Sequence, residues 1–419
     1  MKRVHYAWIV AAVGFVTLIT TAGFRSTSGV LIVPLQDEFG WSRSLLGFAV
    51  FVNLMLFGLC GPFAAALAER YGLKRVMIGA LLAVSIGSSL TVFMSAAWQL
   101  VLLWGVVNGI ATGAISVPLA ALIANRWFVR RRGLVTGVLT ASNATGQLIF
   151  LPALAWIVQS HGWRYAAVTV AAVAVGIVLP LVAFLMRDRP ADLGLFPYGA
   201  DVADPPPAGG NPFRGAVQGL LEARHSNTFW LLTGSFFICG ASTTGLIGTH
   251  LIPAAHDHGI GEVPAASLLA LIGVFDIVGT TCSGWLTDRY DPRLLLVWYY
   301  GLRGLSLLAL PYLFGSSHFG LLVFVVFYGL DWVATVPPTV ALTAEAFGRE
   351  RVGVVFGWIF AAHQFGAAFA AWGAGAVRTW FGDYGWAFGA SGLLCLFAVG
   401  LVTQISRTAQ PATPSLAPA

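Results

Sequence analysis

The sequence predicts an all-α integral membrane protein, with twelve transmembrane helices in two pseudo-symmetric six-helix bundles. Three observations carry this. Hydrophobic residues make up 58% of the 419-residue chain and charged residues only 10%, whereas a soluble domain is about 25% charged. The mean hydropathy of +0.81 excludes a soluble enzyme, a fibrous protein and a disordered chain. Apolar runs long enough to cross a hydrocarbon core of about 30 Å recur twelve times, six on each side of one polar stretch.

The runs are 7–34, 45–68, 74–95, 98–124, 133–158, 164–186, 228–255, 264–287, 293–314, 318–346, 352–376 and 384–405. The first follows Met1-Lys2-Arg3 and reaches Pro34. That is too long for a signal-peptide core, so it reads as a first span. Gly is frequent, with 49 residues, as suits helices that pack closely in lipid. Residues 187–227 hold Arg187, Asp188, Arg189, three consecutive prolines at 205–207 and Gly209-Gly210, the composition of a linker. Within it, Ala216 to Arg224 has the length of a short surface helix. The expected division is a bundle at 1–186, a linker at 187–227, a bundle at 228–405 and a tail at 406–419.

Charge sets the orientation. With the N-terminus inside, eighteen of the 23 Lys and Arg fall in inside segments, three (Arg43, Arg164, Arg378) fall outside, and Arg25 and Arg303 lie within spans. The positive-inside rule then puts both termini and the linker in the cytoplasm. The same topogenic role accounts for the net charge of +6, so no nucleic-acid partner is expected. The four cysteines, Cys60, Cys239, Cys282 and Cys395, lie in apolar runs at spacings that suggest neither a metal site nor a disulfide framework.

The halves echo each other. After span 2 the chain reads Ala68-Glu69-Arg70-Tyr71-Gly72-Leu73-Lys74-Arg75, and after span 8 Gly284-Trp285-Leu286-Thr287-Asp288-Arg289-Tyr290-Asp291-Pro292-Arg293. Both loops resemble the G-x-L-x-D-R-x-G-R-R loop motif of the major facilitator superfamily. The first departs at Ala65 and Glu69, the second at Asp291. Trp127-Phe128-Val129-Arg130-Arg131-Arg132-Gly133-Leu134-Val135-Thr136-Gly137 resembles the Y-F-x-K-R-R-x-L-A-x-G signature of the monocarboxylate transporter family, departing at Trp127 and Val135. Arg25 falls where that family places a substrate-related Lys, and Asp276 where it places an Asp. The family's Arg four residues further on is Thr280 here, and the span-11 Lys of its oxalate-exchanging relatives is Ile359.

The resemblance implies a major facilitator fold working by alternating access in a plasma membrane, the inner membrane of a bacterium, as a monomer. It implies gating roles for Glu69, Arg70, Asp288, Arg289 and the Arg130, Arg131, Arg132 triplet.

An ionisable residue at the bilayer centre costs roughly 2.5–3.5 kcal/mol, so each needs a reason. Arg25, Asp276, Arg303 and Asp331 lie inside spans, joined by His250 and His363. A rise of about 1.5 Å per residue puts Asp276, Arg303 and His363 at one level near the midplane and Asp331 several ångströms further out. The expectation is an Asp276–Arg303 ion pair that opens and closes with proton or substrate binding; a packing device is the plainer alternative. Arg25 has no acid nearby in sequence. It keeps its charge and binds carboxylates bidentately, so it is the expected anion ligand, with pairing to Asp331 or snorkelling as alternatives.

His363 and Gln364 on span 11, Asn108 on span 4, Asn143 and Gln147 on span 5 and Tyr328 on span 10 are the remaining candidate substrate contacts. Each is also readable as interhelical packing. Pro337-Pro338 breaks span 10. His250, His256, Asp257 and His258 match no standard metal spacing, so no metal or cofactor is expected. The chain lacks G-x-x-x-x-G-K-[ST] and C-x-x-C; it is not expected to be an enzyme or an ATP-driven pump. Two readings follow: a carrier of a small mono- or dicarboxylate, proton-coupled or exchanging, and a proton-coupled antiporter exporting neutral or cationic amphiphiles.

Overall fold

The structure is a computed structural model that describes residues 5–41, 43–202, 211–260, 262–314 and 318–406. Lipid offers no water to the peptide groups, so an apolar run must close its hydrogen bonds within itself. Each apolar run is accordingly helical. The spans are α1 (Tyr6–Phe39), α2 (Arg43–Tyr71), α3 (Leu73–Thr91), α4 (Ala97–Trp127), α5 (Arg132–His161) and α6 (Trp163–Leu185). After the linker come α7 (227–257), α8 (Glu262–Thr287), α9 (Pro292–Phe314), α10 (318–347), α11 (Val352–Phe381) and α12 (Gly385–Thr403). Among the described residues, eleven helices are long and apolar enough to cross a membrane; α5, 30 residues long, is the twelfth predicted span.

Several spans are not continuous α-helices. π turns interrupt α4 at Val101–Val107, α6 at Ala174–Val178 and α7 at Ala241–Ile247. α4 opens at Ile115 and Ser116, and α10 opens between its segments His318–Asp331 and Val336–Phe347. In the linker, the expected surface helix is Pro212–Ala223.

Buried apolar side chains gather in two large clusters. One runs from Ala7 to Met186; the other draws all but Phe57 and Ala121 from residues 223–405. The halves meet along two seams, α5 against α8 and α2 against α11. Glycine makes both possible. A methyl group at Gly137 would stand 2.7 Å from the Thr280 carbonyl oxygen, and one at Gly357 2.7 Å from the Pro62 nitrogen. Small residues at membrane helix contacts let backbones approach this closely.

Candidate functional site

A central cavity lies where the two halves face each other, with an opening of about 60 Å3 for solvent, room for a few waters. Arg25 of α1 lines it, its guanidinium carbon 4.2 Å from the centre of the Phe57 ring of α2, a cation–π arrangement. Phe57 meets Phe360 of α11 edge-on at 5.6 Å, and His363 stacks on Phe360 with ring planes 6° apart. The Gln364 Nε2 group lies 3.4 Å from His363 Nδ1. Gln364 Oε1 is buried and has no hydrogen-bond partner among the described residues.

Both broken helices reach this cavity: Ser116 and Val117 from α4, Thr335 and Val336 from α10. They carry matching tripeptides, Ser116-Val117-Pro118 and Thr335-Val336-Pro337, each a hydroxyl residue followed by Val-Pro. Ser116 to Thr335 spans the same 219 residues as Glu69 to Asp288. Arg25 and Thr244, both cavity-lining, are also 219 apart. This repeat was legible in the sequence and is the signal that locates the site: proline-interrupted spans at matching places in two halves point to a transport site.

The α10 break is stitched by side chains from three spans. Pro337 and Pro338 have no N–H to offer the carbonyls of Val333 and Ala334. Ser283 of α8 donates to the Ala334 oxygen at 2.6 Å, while Val333 accepts from the Val336 N–H at 3.0 Å. The released Val333 N–H donates to Asp276 Oδ1 at 3.0 Å, and the Thr280 hydroxyl donates to the same oxygen at 2.5 Å. Asp276 Oδ2 is buried and has no hydrogen-bond partner among the described residues. Thr335 Oγ1 lies 3.2 Å from Cys239 Sγ.

Arg303 is 1% exposed and occupies the same hub. Its Nε donates to Asp331 Oδ2 and its Nη2 to the Asp331 carbonyl, both at 2.6 Å. Nη1 reaches Cys239 Sγ at 3.0 Å. The Asp276–Arg303 pair expected from the sequence is therefore replaced by Arg303–Asp331. A straight-helix rise put Asp331 too far out. The helix ends at Asp331, so its carboxylate and freed carbonyl present three-dimensional partners that a continuous span would not.

Two other expectations change. Asn108 faces α3, with Nδ2 3.5 Å from Ser88 Oγ, and lines a separate crevice rather than the cavity. It follows directly on the π turn Val101–Val107, which breaks the 3.6-residue period from which a helix face is read. Tyr328 is also absent from the cavity lining; its hydroxyl donates to the Ser242 carbonyl at 2.7 Å and braces α10 on α7. The side chains of Asn143 and Gln147 lie outside the described residues, though Thr140 and Ser142 of the same helix line the cavity. His250 is held by its Nε2 contact of 2.7 Å with the Ala371 oxygen.

The loop motifs sit together at one end, the motif end. Asp288 accepts from the Gly133 and Leu134 N–H groups at 2.8 and 3.0 Å, so a carboxylate of one half caps the first turn of α5 in the other. Charge and helix dipole both favour this. Arg131, with φ of 64°, turns the chain into that helix. Arg130 and Arg131 are exposed and Arg132 half-buried; Arg289 lies 4.0 Å over the Trp285 ring. Among the described residues, Glu69 and Arg70 make no such cross-half cap. The second half reaches back instead through Arg349, which donates to the Asn125 and Phe128 carbonyls at 2.5 and 3.0 Å. Sequence reasoning missed Arg349, which looks like any other loop cation.

Residues 13–371 and 247–418 match the family model of the Major Facilitator Superfamily. An uncharacterized MFS-type transporter, YcxA of Bacillus subtilis, is 26% identical over 376 residues, 88% of this chain and 87% of that one. Monocarboxylate transporter 13 of Rattus norvegicus is 26% identical over 407 residues, 96% and 89% of the two chains. The solved structure of the proton:xylose symporter XylE superposes with a TM-score of 0.73 at 16% identity over 96% of each chain, a likeness of fold.

Proposed function

The chain belongs to the Major Facilitator Superfamily, and from that premise we propose that it is a secondary carrier of a small organic anion, a mono- or dicarboxylate. The carrying observation is Arg25: among the described residues lining the central cavity it is the only Arg, Lys, Asp or Glu. A single permanent cation in a space walled by Phe57, Phe236, Trp332 and Phe360 selects an anion over a cation, because a fixed positive charge at low dielectric repels cations strongly. The guanidinium fork suits a carboxylate, and His363 supplies a second polar group beside it.

Transport proceeds by alternating access, the bundles 1–186 and 228–405 rocking about the cavity. Positive-inside counting supports a cytoplasmic motif end, and the Asp288 and Arg349 bonds then describe a phase closed toward the cytoplasm. Coupling falls to Asp276. Its bare Oδ2 offers a place for a proton, and its Oδ1 holds the released backbone of α10, so protonation and helix geometry are joined in one carboxyl. The exporter reading needs a free acid facing the substrate; Asp331, the residue it would use, is held by Arg303.

The test is ligand-induced thermal stabilisation of the purified protein at pH 6 and pH 8, with lactate, oxalate and benzoate set against tetraphenylphosphonium. A carboxylate at 100 times its Kd should stabilise by about 2.7 kcal/mol, and Arg25→Ala should abolish the shift. Stabilisation by the cation, lost in Asp276→Asn, would reverse the assignment.

A further inference from the structure

The linker helix Pro212–Ala223 has three faces, one of them packed on the protein. Ala216 and Ala223 are buried and Gly219 and Leu220 half-buried, all on one side. That side is packed on α2 and α11. Successive residues turn by about 100°, so Phe213, Val217 and Leu221 form a second stripe, at i, i+4 and i+8, about a third of a turn away. These three are 58%, 44% and 44% exposed. Arg214, Gln218 and Glu222 form the third face, another third of a turn on, and all are exposed.

The packed face joins the two halves. Ala65 and Ala66 of α2, Ala216 of the linker helix and Val354 of α11 make a small core of their own, with Phe63 and Trp358 against it. The Trp358 Nε1 group donates to the Ala216 carbonyl at 3.0 Å. Arg351 pairs with Glu222. Phe63 lies 5.8 Å from Phe213 and 5.6 Å from Trp358 between ring centres. A methyl group at Gly219 would stand 2.8 Å from Val354 Cγ1. The helix thus touches α2 of one half and α11 of the other where the motif end is shut.

We propose that this helix is an interfacial strap: its Phe213–Val217–Leu221 stripe is seated in the bilayer surface while its inner face clamps α2 to α11 and holds the motif end closed. The bilayer is the occupant the geometry favours. An apolar stripe set between a protein-packed face and a charged face is the arrangement of a helix lying in the membrane plane. The aromatic side chains Tyr71, Trp230, Trp285 and Tyr290, all exposed at the same end, mark the interfacial level where such rings settle. The Trp230 Nε1 group donates to the Arg224 carbonyl just past the helix, at 2.7 Å, so the helix end is tied to that belt. Separation of α2 from α11 must break the small core, and a membrane-seated helix stays beside the gap, ready to close it.

The full-length protein in phosphatidylcholine nanodiscs tests both halves of the proposal, with no substrate involved. In a Cys60→Ser, Cys282→Ser background, a bimane probe is attached after Val217→Cys, Leu221→Cys or Gln218→Cys. Lipids brominated on the acyl chain should quench the probe at 217 and 221 several-fold more than at 218, and aqueous iodide should do the reverse. Iodide quenching at 217 equal to that at 218 overturns the membrane seat. Protection from both quenchers with a doubled mass by light scattering overturns it in favour of a second copy. For the strap, Trp358→Phe with Arg351→Gln should speed maleimide labelling of a Thr136→Cys reporter at the closed seam by about fivefold. Glu222→Gln, a milder surface change, should do so by about twofold. Unchanged labelling in both variants overturns the clamp.

Discussion

Neutralising each of the two buried acids of α8 and α10 should have very different consequences. Arg303 is 1% exposed and its Nε is satisfied by Asp331 Oδ2 at 2.6 Å. Asp331→Asn leaves a buried guanidinium without a counter-charge, which costs about 3–5 kcal/mol. Asp276→Asn is milder. Its amide oxygen can still accept from Thr280 and from the Val333 N–H, so the loss is that of weakened hydrogen bonds, about 0.5–1.5 kcal/mol. The expected gap is about 2–4 kcal/mol, some 30-fold to nearly 1,000-fold in the folding equilibrium. Reversible SDS titration in mixed micelles, followed by tryptophan fluorescence, measures it. Arg303→Met combined with Asp331→Leu should recover most of the loss, because the buried charge leaves with its partner. The pairing is wrong if Asp276→Asn proves as damaging as Asp331→Asn, or if the double change adds the two single losses.

Asp288→Asn should weaken the cap on α5 by about 1 kcal/mol, raising the exposure of the closed seam about fivefold in maleimide labelling without unfolding the protein. Gly284→Leu should hold the seam apart, since even a β-carbon there would collide with the Gly133 carbonyl; transport should fall at least tenfold while the protein still inserts. Pro337→Ala with Pro338→Ala should let α10 close its hydrogen bonds, raising thermal stability while slowing transport, read by a melt and a counterflow assay on the same preparation. Glu38 is held below its ordinary value of 4.5 by hydrogen bonds from Arg164 and Trp163. Its contribution is therefore present above that value and lost as pH falls through the lower native one. Glu38→Gln should be less stable than the parent at pH 6–8, with the difference shrinking as pH falls below 4.5 and shrinking in high salt.

Much of the architecture was legible in one dimension because the bilayer asks little of sequence beyond length, apolarity and loop charge. Each apolar run from Tyr6 to Thr403 became a helix within a few residues of its expected ends. The linker helix and the break before Pro337-Pro338 were also readable, since proline lacks the donor a helix needs. The cavity residues Arg25, His363 and Gln364 were found because polar groups in apolar spans are costly and therefore conspicuous.

What the sequence by itself determined is the number of spans, the repeat between the halves and the few side chains that carry charge into lipid. What only the tertiary structure decided is which of those side chains meet. Asp276 and Arg303 share a level by residue counting, yet Arg303 takes Asp331, because the broken α10 turns its carboxylate and freed carbonyls toward α9. Asn108 turns to α3 after a π turn. Pairing depends on the rotational phase of each helix and on where its hydrogen-bond ladder opens, and an ion pair's strength falls off over a few ångströms; one extra residue in a turn redirects a side chain by about 100° without changing the hydropathy that placed its helix in the membrane.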